Sequence, residues 1–295
     1  MRLNVRRRES LAGYLFIAPT YLFYIVFLLL PLCATIYYSF TEYNVIQPPQ
    51  WIGLENYAFL FKDRLLPGVV KNTLIYTVLT TIFKTLLSLA LAIGLNSSKL
   101  FAPVRSVARA AIFFPYVVAM SYVALIWSFM FSKDMGLVNF YLNRFGLASV
   151  SWFTDMKLAL YMLIALDVWK NCGYGMLVFL AGMQGISKDF YEAAEIDGAS
   201  RWDSIRHITL PLLRPMLVMM VMLNTIFGMQ AFDSMSVITG GGPGNSTRSI
   251  LMHIYEKAFE NYNMGYASAL SLAFVAVILV ISLLQLKLDK SSTDK

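Results

Sequence analysis

Six long apolar segments, separated by polar stretches, dominate the sequence. They cover residues 11–40, 72–96, 107–131, 158–183, 217–238 and 267–286. Each holds about the 20 apolar residues that a helix needs to cross a hydrocarbon core. The pattern predicts an all-α membrane protein with six transmembrane helices over residues 11–286, a basic segment at residues 1–10 and a charged tail at residues 287–295.

The first apolar segment follows four arginines, as in a secretory signal peptide. It is about twice as long as a signal h-region and has no obvious A-x-A cleavage site. We therefore interpret it as an uncleaved first span, with Pro19 and Pro31 at its edges or at a kink.

Composition supports membrane insertion. The 295 residues are 58% hydrophobic and 14% charged, with a mean hydropathy of +0.62. A soluble domain carries roughly 25% charged residues. The net charge of +7 comes from Lys and Arg residues that flank the apolar segments and form no single basic surface, so we expect no nucleic-acid partner.

Residues for catalysis or metal binding are sparse. The two cysteines, Cys33 and Cys172, lie inside apolar segments, and the two histidines are scattered, so neither a disulfide framework nor a metal site is predicted. The glycine-rich stretch at residues 240–246 lacks the Lys of a phosphate-binding G-x-x-x-x-G-K-[ST] loop. We predict no catalytic residue in this chain.

One polar stretch, residues 189–215, is rich in helix signals. Asp189 with Glu192 is typical of a helix N-cap and its reciprocal acid, and Gly198 is typical of a left-handed stop. Ser200 with Asp203 predicts a second capped helix, which Pro211 ends or redirects. The stretch therefore predicts two short helices joined by a tight turn.

The same stretch resembles the EAA signature of permease subunits of binding-protein-dependent ABC importers. The family pattern is E-A-A, then G, then L-P, and the matching residues here are Glu192, Ala193, Ala194, Asp197, Gly198, Ala199, Leu210 and Pro211. The chain departs from the carbohydrate branch at Ile205, where that branch usually has Phe. Residues 51–61 (WIGLENYAFLF) and 89–96 (LALAIGLN) also resemble this family. Residues 180–187 (LAGMQGIS) and 241–247 (GGPGNST) resemble its carbohydrate-uptake branch.

The resemblance implies half of a translocation path for a sugar or oligosaccharide. It implies a second permease subunit, two ATPase subunits that carry ATP and Mg²⁺, and an extracytoplasmic binding protein, with no cofactor in this chain and no enzyme activity of its own. Residues 184–214 would be the coupling loop that contacts the ATPase; the coupling residues would be Glu192, Ala193, Ala194, Glu195, Asp197, Gly198, Ala199 and Pro211.

Three alternatives stay open. A permease for another polar solute, such as glycerol phosphate, would share the signature. An ion-driven secondary transporter would show internal repeats, and we find no convincing one. The acidic loop residues would also suit a solvated loop whose acids only cap a helix.

Charge predicts the orientation. With six spans, both termini, residues 97–106 and residues 184–214 lie on one side. Together with Arg109, at the start of the third span, this side holds fourteen Lys and Arg residues against eight on the other. The positive-inside rule therefore places the termini and the coupling loop in the cytoplasm. The resemblance implies that the membrane is a bacterial inner membrane.

Charged residues within the spans mark either a solute path or interhelical contacts. Asp167, Lys170, Asn171 and Tyr174 form one helical stripe near the middle of the fourth span, and Lys84 lies in the second. Our hypothesis is that Asn171 and Tyr174 line the path. Asp167 and Lys170 would hold each other, or Lys84, and neighbouring helices. The fifth span adds the path candidates Asn224, Phe227 and Gln230.

Overall fold

The apolar segments form helices in the computed structural model, which describes residues 2–97 and 101–293. The helices are α1 (Arg2–Tyr24), α2 (Leu30–Ser39), α3 (Glu55–Leu60), α4 (Leu66–Ser97), α5 (Ala102–Val117), α6 (Met120–Met130), α7 (Leu137–Arg144), α8 (Ala159–Gln184), α9 (Lys188–Ile196), α10 (Arg201–Ser204), α11 (Leu210–Leu212), α12 (Arg214–Met229), α13 (Asp233–Ile238), α14 (Ile250–Tyr255) and α15 (Met264–Thr293). Within the described residues, π-helical segments cover Ile25–Leu29, Ile205–Thr209 and Glu256–Glu260. The all-α prediction is confirmed.

One compact unit comprises Met1–Asp63 and Ile254–Ala276. Pro19 lies inside α1, and Pro31 is in the first turn of α2, directly after the widened turn at Ile25–Leu29. The strands β1 (Thr41–Glu42) and β2 (Gln50–Trp51) pair antiparallel. Asn56 of α3 is buried and donates hydrogen bonds to the carbonyl oxygens of Ser39 and Thr41, so the loop is closely tied to the end of α2.

The second unit comprises Arg64–His253 and Val277–Lys295. Here α4 packs against α8 and α12, and α5 packs against α8. Its largest cluster of buried side chains includes Ala92, Met176, Phe179, Leu180 and Leu213. Helix α8 is thus the central helix of this unit, and it carries the predicted polar stripe.

The second span begins earlier than predicted. Helix α4 starts at Leu66, six residues before the predicted start at residue 72. Pro67 and Gly68 resemble a loop in the sequence, yet proline fits the first turn of a helix because the amide hydrogen it lacks would have no helical partner there.

The third span is broken, which the sequence interpretation did not predict. Helices α5 and α6 meet at 97°, with Val118 and Ala119 extended between them. Pro115 lies in the last turn of α5, where its ring removes one helical hydrogen bond and clashes with the preceding turn. The fifth span is also interrupted, because α12 ends at Met229 and α13 begins at Asp233.

Length and hydropathy identify five candidate spans among the described residues, at Gly13–Ser39, Leu66–Asn96, Ala159–Gln184, Arg214–Ile238 and Met264–Leu288. A sixth follows if the bent α5–α6 pair is one span.

Candidate functional site

The predicted coupling loop forms a two-helix knob, which we define as residues 184–214. Its first helix, α9, ends in a Schellman motif, in which the Ala199 amide donates to the Ala194 carbonyl at 2.9 Å and the Gly198 amide to the Glu195 carbonyl at 3.1 Å. Gly198 has a φ of +79°, in the left-handed region that favours glycine. The stop predicted at Gly198 is therefore confirmed.

The predicted cap at Asp189 is wrong. Ser187 has the extended backbone of an N-cap, and its hydroxyl accepts a hydrogen bond from the Asp189 amide. Asp189 instead lies in the first helical turn, where a carboxylate is favourable because the helix dipole is positive there. Ser187 was missed because Asp189 and Glu192 have the same spacing as a capping box.

The second helix of the knob begins with the predicted capping box. The Ser200 hydroxyl accepts from the Asp203 amide, and the Asp203 carboxylate accepts from the Ser200 amide at 3.0 Å. Hydrogen bonds from the Ser200 hydroxyl and amide lower the pKa of Asp203. The chain then continues through the π-helical segment Ile205–Thr209 and α11, and Pro211 lies inside this run without ending it.

The knob exposes both acids and large apolar side chains. Glu192, Glu195 and Asp197 are exposed. Ile196 is 87% exposed and Trp202 is 67% exposed, although neither belongs to a candidate span. Exposed apolar side chains rimmed by charges are typical of a protein–protein contact surface.

The polar stripe of α8 connects to α4. Asp167 Oδ2 lies 2.9 Å from Lys84 Nζ, and Asn171 Nδ2 donates to Asp167 Oδ1 at 2.6 Å. Lys84 and Asp167 are buried, so two helices share an ion pair inside the unit. Of the two partners that the sequence left open for Asp167, Lys84 is the one within ion-pair distance.

Lys170 reaches the broken third span instead. Its ammonium donates to the Tyr116 carbonyl at 3.2 Å and lies 5.5 Å from the centre of the Tyr116 ring. The Tyr116 ring stacks on Tyr174 at 4.9 Å. Tyr116 is the penultimate residue of α5, so Lys170 places positive charge at the negative end of that helix dipole.

The fifth-span candidates do not share one environment. Asn224 is buried and donates to Thr85 Oγ1 of α4 at 3.1 Å. Phe227 is 57% exposed, and Gln230 is exposed at the end of α12. Asn224 thus belongs to a contact between α12 and α4, while Phe227 and Gln230 remain accessible in this chain.

The glycine-rich loop after α13 is held by hydrogen bonds within the loop and to α4. Thr239 and Thr247 share a hydrogen bond of 2.7 Å, and Thr247 also donates to the Gly242 carbonyl. The Asn72 amide donates to the carbonyl oxygens of Asn245 and Arg248. The loop is thereby held against the N-terminal part of α4.

Two contributors to the site were missed from the sequence. Tyr116 was missed because the sequence contains many aromatic residues and nothing singles this one out. Gly173 was missed because it has no side chain that would suggest a contact. A Cβ atom at Gly173 would overlap the Ile112 carbonyl oxygen, so only glycine allows α5 and α8 to approach this closely. Pro115, directly before Tyr116, was the available signal of a break.

Comparison with known proteins gives a consistent result. The family model described as "Binding-protein-dependent transport system inner membrane component" matches residues 84–293, which include the stripe and the knob. The chain is 33% identical to the trehalose/maltose transport system permease protein MalF of Thermococcus litoralis, over 99% of this chain and 98% of that protein. It is 30% identical to the sulfoquinovosyl glycerol transport system permease protein SmoG of Agrobacterium fabrum, over 96% of this chain and 92% of that protein.

A solved structure has a similar backbone along the whole chain. It comes from a bacterial ABC transporter involved in the import of the acidic polysaccharide alginate. The TM-score is 0.88 at 25% sequence identity, with 99% of each chain covered.

Proposed function

The chain belongs to the family of inner membrane components of binding-protein-dependent transport systems, and from this premise we propose that it is the permease subunit of an ATP-driven sugar importer. Relatives that match nearly its whole length are permeases for trehalose or maltose and for sulfoquinovosyl glycerol. The shared chemistry of these solutes is a polyhydroxylated sugar. In this role the chain forms half of the path, beside a second permease subunit, and receives solute from an extracytoplasmic binding protein.

Coupling to ATP hydrolysis is assigned to the knob. The observation that carries this is the exposed surface formed by Ile196, Trp202 and the acids Glu192 and Glu195 on two capped helices. The Schellman turn and the capping box fix the angle between these helices. A rigid element with apolar side chains at its surface can transmit a displacement from an ATPase subunit to the membrane helices.

The solute path is assigned to the exposed edge of the polar stripe. Asn171 and Tyr174 are half-buried, next to the break between α5 and α6. Nonhelical backbone is tolerated at membrane depth only where it is covered by protein or lines a water-filled cavity. An amide, a phenol and an accessible Phe227 would provide hydrogen bonds and apolar contact for a sugar.

An acidic sugar is a second candidate solute, favoured by the charge of Lys170. Among the described residues, Lys84 and Asp167 neutralise each other, whereas the contacts of Lys170 are a carbonyl and an aromatic ring. The stripe therefore carries a net positive charge, which would favour a carboxylate or sulfonate group on the solute.

Reconstituted transport tests the proposal. Proteoliposomes containing both permeases and the ATPase subunits, with ATP inside and binding protein outside, should accumulate sugar without an ion gradient. Uptake that required an ion gradient, or that proceeded without ATP, would contradict the assignment. Comparing a neutral disaccharide with its uronic acid counterpart separates the two candidate solutes.

Single substitutions test the path. We expect Asn171→Ala and Tyr174→Phe to preserve the yield of assembled complex and to change the apparent affinity or the choice between sugars. Lys170→Met should reduce uptake of the acidic sugar more than that of the neutral one. Normal transport of every sugar by the Asn171 and Tyr174 variants would exclude these residues and move the assignment to the accessible fifth-span residues Phe227 and Gln230.

A further inference from the structure

Two arginines lie on one side of α5. Arg105 and Arg109 are four residues apart, and Tyr116 follows seven residues later, so all three share one side of the helix. Val107 and Phe114, each 67% exposed, lie on the opposite side. An exposed apolar face of this kind is covered by lipid or by another subunit. The two arginines are turned away from it.

The arginine side of α5 borders α8. Ala108 and Ile112, which lie beside the arginines on α5, pack against the buried cluster that includes Met176 and Phe179. Met176 and Phe179 belong to the half of α8 that leads into the knob. The arginines therefore lie along the contact between α5 and α8.

Tyr116 connects this side of α5 to the polar stripe. Its carbonyl oxygen accepts a hydrogen bond from Lys170, and its ring stacks on Tyr174. Arg109 lies roughly 10 Å from Tyr116 along the helix axis, and Arg105 lies roughly 16 Å away. Lys170, Arg109 and Arg105 thus follow one another from the stripe toward the end of α8 that leads into the knob.

The two arginines carry positive charge that this chain does not neutralise. Among residues 2–97 and 101–293, no carboxylate forms an ion pair with Arg105 or Arg109. Both side chains are half-buried, and within the same described residues the buried Nε of Arg109 has no hydrogen-bond partner. A guanidinium is a permanent cation whose N–H donors fit the oxygens of a carboxylate, sulfonate or phosphate. Since a charge within a span is costly without a counter-ion, the arrangement calls for an anion from outside the chain.

This oxyanion has two sources, a lipid headgroup and the transported solute. Lipid would reach α5 most directly at the exposed face of Val107 and Phe114, which is the side away from the arginines. The solute path, as assigned above, runs along the polar stripe, and Tyr116 joins that stripe to the arginine side. An anion that met Lys170 alone would be held there, whereas successive sites of similar charge allow an ion to move on. The positions of the arginines therefore favour the solute.

We propose that Arg109 and then Arg105 bind the carboxylate or sulfonate group of an acidic sugar after it leaves Lys170, and that they select for acidic solutes. The proposal rests on the proposed function, and specifically on its acidic candidate solute. Each guanidinium can offer two parallel N–H donors to the anionic group, which replace the water that the group loses inside the membrane.

The test uses the complete reconstituted transporter, with ATP in the lumen and binding protein outside. Initial uptake of maltose and trehalose is compared with that of their uronic acid counterparts. Arg109→Gln should lower uptake of the acidic sugar relative to the neutral one by about tenfold, as expected for the loss of one charge-assisted hydrogen bond. Arg105→Gln should lower the same ratio. Arg109→Lys keeps the charge and should restore part of the ratio, which a purely structural role would not predict.

The matched control is Lys287→Gln. Lys287 is an exposed cation on α15, so this change removes one positive charge without altering the arginine side of α5. It should leave the ratio of acidic to neutral uptake unchanged. The yield of assembled complex is measured for every variant, and uptake is measured in phosphatidylcholine vesicles with and without phosphatidylglycerol. The ratio should be the same in both lipids.

The outcomes separate this proposal from the one on which it rests. If the wild-type complex takes up none of the sugars with ATP, the proposed function fails. If neutral uptake is normal but no acidic sugar enters, or if Arg109→Gln leaves the ratio unchanged, the proposed function stands and the arginines do not serve the solute.

Two further results would assign the arginines to another anion. An equal loss of acidic and neutral uptake, seen only in vesicles with phosphatidylglycerol, would assign them to a lipid headgroup. An equal loss in both lipids, together with a lower yield of complex, would assign them to a carboxylate of another subunit. Either result would overturn the proposal.

Discussion

At the scale of single residues, Gly198 sets the angle between the two helices of the knob through its backbone conformation. Its φ is +79°, and a Cβ atom at this position would have no heavy atom within 4 Å. A side chain at residue 198 is therefore opposed by local strain and not by a clash. Left-handed backbone costs an ordinary residue roughly 1–2 kcal/mol, and a β-branched residue more.

The first prediction concerns this glycine. Gly198→Ala should weaken transport and stimulated ATP hydrolysis together, and Gly198→Val should weaken them further, whereas Gly198→Asn should be mildest because asparagine tolerates this conformation. Insertion should be unchanged, since it depends on the apolar spans. The measurements are complex yield, ATPase rate and uptake.

The control for this series is Gly68→Ala, at a glycine with open space and without positive φ. If the purified Gly198→Val complex retained wild-type uptake and ATPase stimulation, the knob would not be the coupling element.

The second prediction concerns pH. Ser200 lowers the pKa of Asp203 below its ordinary value of 3.8. At pH values above 3.8 the Asp203 carboxylate therefore makes its full contribution to the stability of the start of α10. That contribution is lost as the pH falls below 3.8 and through the lowered folded-state pKa. Ser200→Ala should remove the cap, at a cost of about 1 kcal/mol, and return the pKa of Asp203 toward its ordinary value.

Hydrogen–deuterium exchange of the segment after residue 200, corrected for intrinsic rates between pH 6 and pH 3, measures this. Wild-type protection should fall in acid. Ser200→Ala should be less protected at pH 6 and less sensitive to acid. Equal acid sensitivity in both proteins would show that Asp203 does not act through Ser200.

Sequence reasoning at this scale succeeded where the signal was local. Ser200 with Asp203 and Gly198 were identified correctly, because caps and left-handed stops depend on neighbouring residues. The partner of Asp167 was not identified, because the sequence allows either Lys84 or Lys170 to reach its carboxylate. Only the packing of α4 on α8 places Lys84 beside Asp167.

At the scale of elements, continuous spans were predicted well and interrupted ones were not. Helix α8 begins and ends within one residue of its predicted limits of 158 and 183. The bend between α5 and α6 was missed because both halves are apolar and together have the length of one span. Pro115 changes the backbone without changing the hydropathy pattern.

The third prediction tests the contact between α4 and α8. Lys84→Met or Asp167→Asn should lower the yield of assembled complex, since removing one partner of a buried ion pair costs about 3–5 kcal/mol. The double variant should recover part of the loss, because no uncompensated charge remains. Thermal stability and complex yield of the four proteins form the cycle.

Lys170→Met serves as a comparison for this cycle, because Lys170 contacts Tyr116 on another helix. Additive losses for Lys84→Met and Asp167→Asn would show that the pair contributes no coupling. If Asp167→Asn combined with Lys170→Met recovered as much stability as Asp167→Asn combined with Lys84→Met, the effect would not be specific to the Lys84–Asp167 pair.

At the scale of the whole molecule, the family and the number of apolar segments could be predicted, but the surfaces that need partners could not. Ile196 and Trp202 look like core residues in the sequence, and they are exposed in the isolated chain. The helical residues from 13 to 32 are exposed as well, with apolar side chains along the segment. Apolar surface of this extent requires lipid or another subunit, and the hydropathy of one sequence does not distinguish them.

The last prediction is topological and rests on the bent pair. If α5 and α6 together cross the membrane, the loop at residues 41–65 and the loop at residues 131–158 lie on the same side; if the pair is re-entrant, they lie on opposite sides. Single cysteines at Phe61, which is 94% exposed, and at exposed Ser149 report on these loops, and Arg206→Cys reports on the knob.

The background for this labelling experiment carries Cys33→Ser and Cys172→Ser. An impermeant maleimide should label Phe61→Cys and Ser149→Cys in intact cells and Arg206→Cys only after permeabilisation. Labelling of Phe61→Cys without Ser149→Cys would show that α5 and α6 return to the side from which they entered. The knob would then face the extracytoplasmic side, where it could not meet an ATPase, so this result would also contradict the proposed coupling.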